Sequence, residues 1–200
     1  MDDLKDVIDE VVQRTFNTMT YLYKKAGKVK TLLIFPTYTR GGNAGSVRVS
    51  EQELRQLFIE ELTYFVKTNG FELHYSIETP TEDGYKFVEK NPTACEEGRS
   101  AMFDLAIWRD EKKVALIEFK SATAEEFAYL KDLCKLGNKK EGSNDVLRYF
   151  INIFEGANSG TVKRIKDILA TAKKPDHPIE FRFHSMNNPS LDKEFKEIKI

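Results

Sequence analysis

Two apolar runs, Phe103-Asp104-Leu105-Ala106-Ile107-Trp108 and Val114-Ala115-Leu116-Ile117-Glu118-Phe119-Lys120, flank the polar stretch Asp110-Glu111-Lys112-Lys113. Each run has the length and the β-branched or aromatic content of a buried strand, and a polar turn between two such runs makes an antiparallel hairpin. The hairpin carries charge where buried strands avoid it. Side chains alternate faces along a strand, so Glu118 and Lys120 share one face while Ile117 and Phe119 take the other. A buried ion is costly unless a partner or a metal compensates it. Asp104 and Glu118 offer the oxygen donors that a hard divalent cation takes, with room left for water and a phosphate oxygen. Lys120 is then placed to orient or deprotonate that water, or to offset charge on the phosphate. The competing reading is a hairpin whose Glu118 and Lys120 lie exposed on a solvated sheet face, with Asp104 capping a turn.

A chain of 200 residues can bury a sizeable core in one α/β domain, or in a core plus a small extension. Its apolar runs are much shorter than the roughly 18 residues a membrane span needs, and no leader pattern opens it, so a soluble cytoplasmic protein without membrane contact is expected. Cys95 and Cys134 belong to no Cys/His cluster and read as free thiols. With 31 basic against 32 acidic residues, the chain has no general attraction for polyanions. Nucleic-acid binding would have to use a local patch. The candidates are Lys24-Lys25 with Lys28 and Lys30, Arg40 with Arg48, Lys139-Lys140, and the series Lys163, Arg164, Lys166, Lys173 and Lys174.

The opening segment repeats Leu4, Val7, Ile8, Val11, Val12, Met19 and Leu22 at helical spacing, which predicts a long amphipathic helix in need of a partner surface. Gly27 suggests its stop, Val29 to Phe35 a short strand, and Gly41-Gly42-Asn43-Ala44-Gly45 a mobile loop. Ser50 and Glu53 match a capping box for a helix running to about Thr68, with Gly70 as its stop. On that helix Leu54, Leu57, Phe58, Leu62 and Phe65 fall on one arc; Glu61 lies inside it and Glu53 and Glu60 at its edge. Phe71 to Ile77 predicts a strand, and Glu78 to Gly98 a polar connector in which Tyr85 to Val88 can add one short strand. After Lys120, Thr123 caps a helix that carries Phe127, Leu130, Cys134 and Leu136 and ends at Gly137. Residues 146–154 then read as a central strand, 160–172 as a helix and 179–183 as a further strand.

This order, with Asp104 and Glu118-Phe119-Lys120 on the hairpin, resembles the PD-(D/E)xK superfamily, the restriction-endonuclease-like nuclease fold, over about residues 50 to 155. The resemblance implies an α/β core with a mixed central sheet flanked by helices at 49–200, preceded by an N-terminal helical extension at 1–48. It implies a divalent-metal-dependent nuclease that hydrolyses nucleic-acid phosphodiesters, DNA by analogy, through attack by a metal-bound water. Asp104 and Glu118 would hold Mg²⁺, with Mn²⁺ as a substitute, together with the backbone carbonyl of Phe119. Lys120 would be the motif lysine. A further catalytic glutamate from the preceding helix matches Glu53 by position, with Glu51 and Glu61 as competitors; a cap is the alternative role for Glu53. Two departures stand out: Phe103 takes the place of the motif proline, and Lys131-Asp132 stands where some branches carry a glutamine.

A fold of this kind does not by itself deliver activity. The alternative is a catalytically inactive nuclease-fold module that binds a protein partner, through its N-terminal helix, or nucleic acid. A third reading makes that helix and the Gly41 to Gly45 loop the substrate gate and contact of a homodimer. His74, His177 and His184 are too scattered for a zinc site, and no Ser/His/Asp arrangement is visible around Ser100 or Ser121.

Overall fold

The predicted hairpin lies in the middle of a six-stranded sheet. The computed structural model describes residues 4–25, 32–87, 92–122, 124–196 and 198. In chain order the elements are α1 (Leu4–Lys24), α2 (Glu51–Asn69), β1 (His74–Lys86), β2 (Thr93–Ala94), β3 (Arg99–Arg109), β4 (Lys112–Ser121), α3 (Glu126–Leu136), β5 (Leu147–Phe154), α4 (Ser159–Thr171) and β6 (Glu180–Ser185), followed by a 3₁₀ turn at Pro189–Leu191 and a short α5 (Asp192–Phe195). The sheet order is β2-β1-β3-β4-β5-β6. β1, β3 and β4 form an antiparallel meander, whereas β5 and β6 continue from β4 in parallel. The chain is therefore a mixed α/β protein whose mixed sheet is flanked by helices.

The β3–β4 register ends on Arg109 opposite Lys112, leaving Asp110 and Glu111 as a two-residue loop with φ of +47° and +65°. Positive φ at both positions gives a turn whose twist matches that of the strands it joins. β4 runs between two neighbours and is covered on both faces, so Ala115 to Lys120 are all buried. Its alternation sorts them: Ala115, Ile117 and Phe119 pack in the layer of α1 and α2, and Leu116 packs in the layer of α3 and α4. Glu118 and Lys120 belong to the second face by the same alternation. They are 1% and 8% exposed, so the solvated-face reading of the hairpin does not hold.

The longest departure from expectation is β1. Residues 78–84 form no connector; the strand continues through Pro80 to Lys86 along β3, with a register shift between Pro80 and Gly84, so that Tyr85 and Lys86 of the expected short strand end β1 while Phe87 lies outside it and Val88 outside the described residues. A polar strand is tolerated here because Glu141, fully buried, accepts from the backbone N–H groups of Glu82 and Asp83 at 2.9 and 3.0 Å and from the Tyr85 hydroxyl at 2.8 Å. At the start, Phe71 to Leu73 lie outside the strand. Gly84 and Gly98 permit the close approach of β1 to the loop after β2: a Cβ on Gly98 would stand 2.3 Å from the Tyr85 nitrogen. Gly98→Ala forces backbone to move and should cost about 1–3 kcal/mol, read by urea denaturation; a loss within the ordinary surface range of about 0.5 kcal/mol would contradict this packing.

The apolar face of α1 finds its partner within the chain. Val7, Ile8, Val11, Val12, Phe16, Met19 and Leu22 share one core with Leu54, Leu57 and Phe58 of α2 and with the sheet. The far end of α1 is tied to the end of the fold, where the Thr20 hydroxyl lies 2.7 Å from His184 Nε2, and His184 Nδ1 lies 2.6 Å from Asp192. Gly27 and residues 29–31 of the expected strand fall outside the described residues. Leu32 to Phe35 are not in a strand; a single bridge, Thr37 to Val47, closes the glycine loop instead. Ser50 does stand at the N-cap of α2 and Gly70 at its left-handed C-cap, but the Ser50 hydroxyl bonds the Glu53 carboxylate and caps no backbone group. Thr123 lies outside the described residues, and the N-cap of α3 is Glu125.

Candidate active site

The hairpin splays at the residues that carry charge. The ladder between β3 and β4 has its last pair at Leu105 and Ile117, and beyond it Asp104 Oδ2 accepts the backbone N–H of Phe119 at 2.8 Å. A side chain thus substitutes for the missing ladder partner. The other flank is irregular too. β1 pairs Ile77 with Leu105 and Thr79 with Phe103, skipping Glu78, whose φ is +48°. Phe103 packs in the layer of α3 and α4, whereas Leu105, two residues on, packs with α1 and α2. The regular alternation of faces therefore breaks at Asp104, which stays half-buried.

Glu118 and Lys120 meet α3. Lys135 pairs with Glu118 Oε1 and, at 3.0 Å, with Asp132 Oδ1, and its ammonium donates to the Met102 carbonyl at 2.8 Å. Asp132 Oδ2 lies 2.6 Å from Lys120, which donates further to the Phe119 carbonyl at 3.2 Å and stands 3.6 Å from Glu51 in the first turn of α2. The result is a chain of alternating charge, Glu118–Lys135–Asp132–Lys120–Glu51, with Asp104 beside it. Four carboxylates face two ammoniums, so the cluster as fully charged carries a formal excess of two negative charges.

The electrostatics follow from burial and from this order. Burial first, and then Asp132, push the Glu118 carboxyl well above its ordinary value, with Lys135 opposing. For Lys120 burial alone acts downward, but Asp132 and then Glu51 outweigh it and raise the pKa, so the ammonium stays charged at neutral pH. Lys135 is raised in the same way, by Glu118 and Asp132 against burial. Glu51 is raised by burial, partly countered by Lys120. Because the folded chain holds the Glu118 proton more firmly than the unfolded chain does, stability falls as pH rises from about 4.5 through the raised pKa. Glu118→Gln removes that slope. Urea titrations of the two proteins should diverge above pH 4.5 by up to about 1.4 kcal/mol per pH unit, wild type being the one that loses stability; parallel curves would contradict the burial of an ionisable Glu118.

Of the glutamates anticipated from the preceding helix, Glu51 is the one that reaches Lys120. Glu53 is held by Arg48 at 2.8 Å and also accepts from the Ser50 hydroxyl, and Glu61 accepts from Thr18 at 3.0 Å. The resemblance matched Glu53 by position; the direction of the first helical turn brings Glu51 instead to Lys120. Asp132 and Lys135 carried no motif signal, yet Tyr129, Asp132, Leu133 and Leu136 recur at the three, four and seven spacing of a buried stripe, so a charge in that stripe was the available sign. On β5, Asn152 lies opposite Lys120 and donates to the Tyr129 hydroxyl, whose pKa burial pushes up to about 12.

The oxygens of Asp104, Glu118 and the Phe119 carbonyl, with a negative excess of two charges, fit a hard divalent cation in chemistry. In the present side-chain arrangement Lys135 holds Glu118, Lys120 holds the Phe119 carbonyl and the Phe119 N–H holds Asp104, and among the described residues no group of three or more His, Cys, Asp or Glu stands ready to hold a metal. Several expected phosphate contacts are likewise engaged: Arg48 pairs with Glu53, and Lys140 with Asp83 and Glu96. Lys28 and Lys30 lie outside the described residues. No described helix is long and apolar enough to cross a membrane. Comparison with family models, with curated proteins and with solved structures finds no match.

Proposed function

We propose that the chain is a divalent-metal-dependent phosphodiesterase of PD-(D/E)xK type acting on nucleic acid, with DNA favoured by analogy. The observation that carries this reading is the convergence of Asp104, Glu118, Lys120 and Glu51 from both strands of a splayed hairpin and the first turn of α2, with an excess of negative charge. The meander, the crossover through α3 and the parallel β5 support the restriction-endonuclease-like assignment of the fold. Asp104, Glu118 and the Phe119 carbonyl would hold Mg²⁺ or Mn²⁺. A cation there supplies Lewis acidity to a phosphoryl oxygen and makes water a better nucleophile.

Lys120 has a narrower role than the residue type alone allows. An ammonium whose pKa is raised by Asp132 and Glu51 is a poor proton acceptor at neutral pH, so it orients water and offsets the charge that develops on the phosphate. Glu51, half-exposed and raised, is the carboxyl available to accept a proton from water. The pairing of Glu118 and Asp132 with the two lysines favours a second reading, a catalytically silent module that binds nucleic acid or a protein. The separating experiment is a cleavage screen over duplex, single-stranded and branched DNA and over RNA, with Mg²⁺ or Mn²⁺ and with EDTA. Cation-dependent cleavage of any of these forms, lost in Lys120→Ala, is expected. Absence of cleavage of all of them with both cations would reject the enzymatic reading.

A further inference from the structure

Lys135 lies outside the motif, and nothing in the proposed chemistry uses it, yet it is the group in direct contact with Glu118. Its side chain is 3% exposed, and its ammonium lies against three oxygens: it pairs with Glu118 Oε1 and with Asp132 Oδ1 at 3.0 Å, and donates to the Met102 carbonyl at 2.8 Å. The Phe103 ring, 5.7 Å away, lines the same pocket. We propose that Lys135 is a built-in competitor for the divalent cation: it holds Glu118 while the cation is absent and yields that carboxylate when the cation binds. The inference rests on reading the cluster as a cation site.

The alternating order of charge makes the exchange feasible. Stranding a buried ammonium without a partner is costly, but Lys135 has two other acceptors that the cation does not need. Asp132 is shared between Lys135 and Lys120 through different oxygens, so it keeps both lysines when Glu118 leaves. Lys135 thus moves from three acceptors to two and stays neutralised. A positively charged group on the ligand oxygen also repels an incoming cation, so the wild-type chain binds more weakly than its carboxylates alone would.

The test is Mn²⁺ binding to the full chain, by calorimetry and by the spin-resonance signal of free Mn²⁺, for wild type, Lys135→Met, Lys135→Gln and Lys131→Met. Lys131 lies on the same helix over the Phe87 ring and reports the effect of merely removing a nearby charge. Both Lys135 variants should bind at least about tenfold tighter than wild type, as removal of a unit charge in contact with a ligand oxygen requires at an effective dielectric of about 20, with Lys131→Met within about twofold. The glutamine variant retains a donor to Asp132 and serves if the methionine variant does not fold. In Mn²⁺-soaked crystals of the wild type, Lys135 should remain on Asp132 and Met102 and be released from Glu118. Equal Mn²⁺ affinity in wild type and the Lys135 variants, or Lys135 still on Glu118 with Mn²⁺ bound, overturns the competitor role and leaves the cation site standing. Folded proteins that bind no Mn²⁺, variants included, overturn both.

Discussion

Lys120→Ala should reduce Mg²⁺-dependent phosphodiester cleavage by about 10²–10³-fold in kcat, with KM nearly unchanged. The expectation follows from where its ammonium is held. Asp132 at 2.6 Å, the Phe119 carbonyl at 3.2 Å and Glu51 at 3.6 Å fix it beside the candidate cation ligands without giving it a ground-state role in gripping a long polyanion. A preorganised charge aimed at developing negative charge contributes mainly in the transition state, so its loss falls on kcat. Single-turnover cleavage by wild type and variant, both confirmed as folded by circular dichroism, decides the matter. A loss confined to KM would make Lys120 a binding residue, and an unchanged rate would remove it from the chemistry.

The second large effect is on stability. Asp132→Ala should destabilise the protein by about 3–5 kcal/mol at neutral pH, because it leaves two buried ammoniums with one direct carboxylate partner fewer each. An opposing effect exists: Asp132 also raises the energy of ionised Glu118, and its removal relieves that repulsion. The contacts decide which wins. Asp132 touches both lysines at 2.6 and 3.0 Å, while Lys135 itself lies between Asp132 and Glu118 and screens their repulsion. Leaving two buried ammoniums each short of a contacting carboxylate costs more than that relief returns. Urea denaturation read beside Glu96→Ala provides the scale, since the Glu96 side chain is 88% exposed in its pair with Lys140 and should change stability by under about 0.5 kcal/mol. A loss below 1 kcal/mol for Asp132→Ala, against that expected range of about 3–5, would mean the charged chain is not a buried network in solution.

Much of the framework was legible because it is written in local rules. The hairpin, the amphipathic α1, α2 with its stop glycine, the crossover helix and β5 all follow from periodicity and turn chemistry, and each appears within a few residues of its expected place. β1 was misread from Glu78 onward for a physical reason. Its second half is polar and contains Pro80 and Gly84, and its stability comes from Glu141, more than fifty residues away, which no local pattern can signal. The same holds for Glu51 against Glu53. Both are acids in one helical turn, and only the position of the β4 end relative to α2 separates a residue that meets Lys120 from one that meets Arg48.

By itself the sequence determined that an acid and a lysine share one face of a central strand, because alternation along β4 allows no other arrangement of Glu118, Phe119 and Lys120. It also determined that a second acid lies on the partner strand. Tertiary structure alone decided that this face is buried, that Asp104 bridges a splayed ladder, and that α3 returns Asp132 and Lys135 onto the pair. Periodicity acts between neighbours in the chain, whereas the field at Glu118 is set by charges 14 and 17 residues away that reach it only when α3 packs on the sheet.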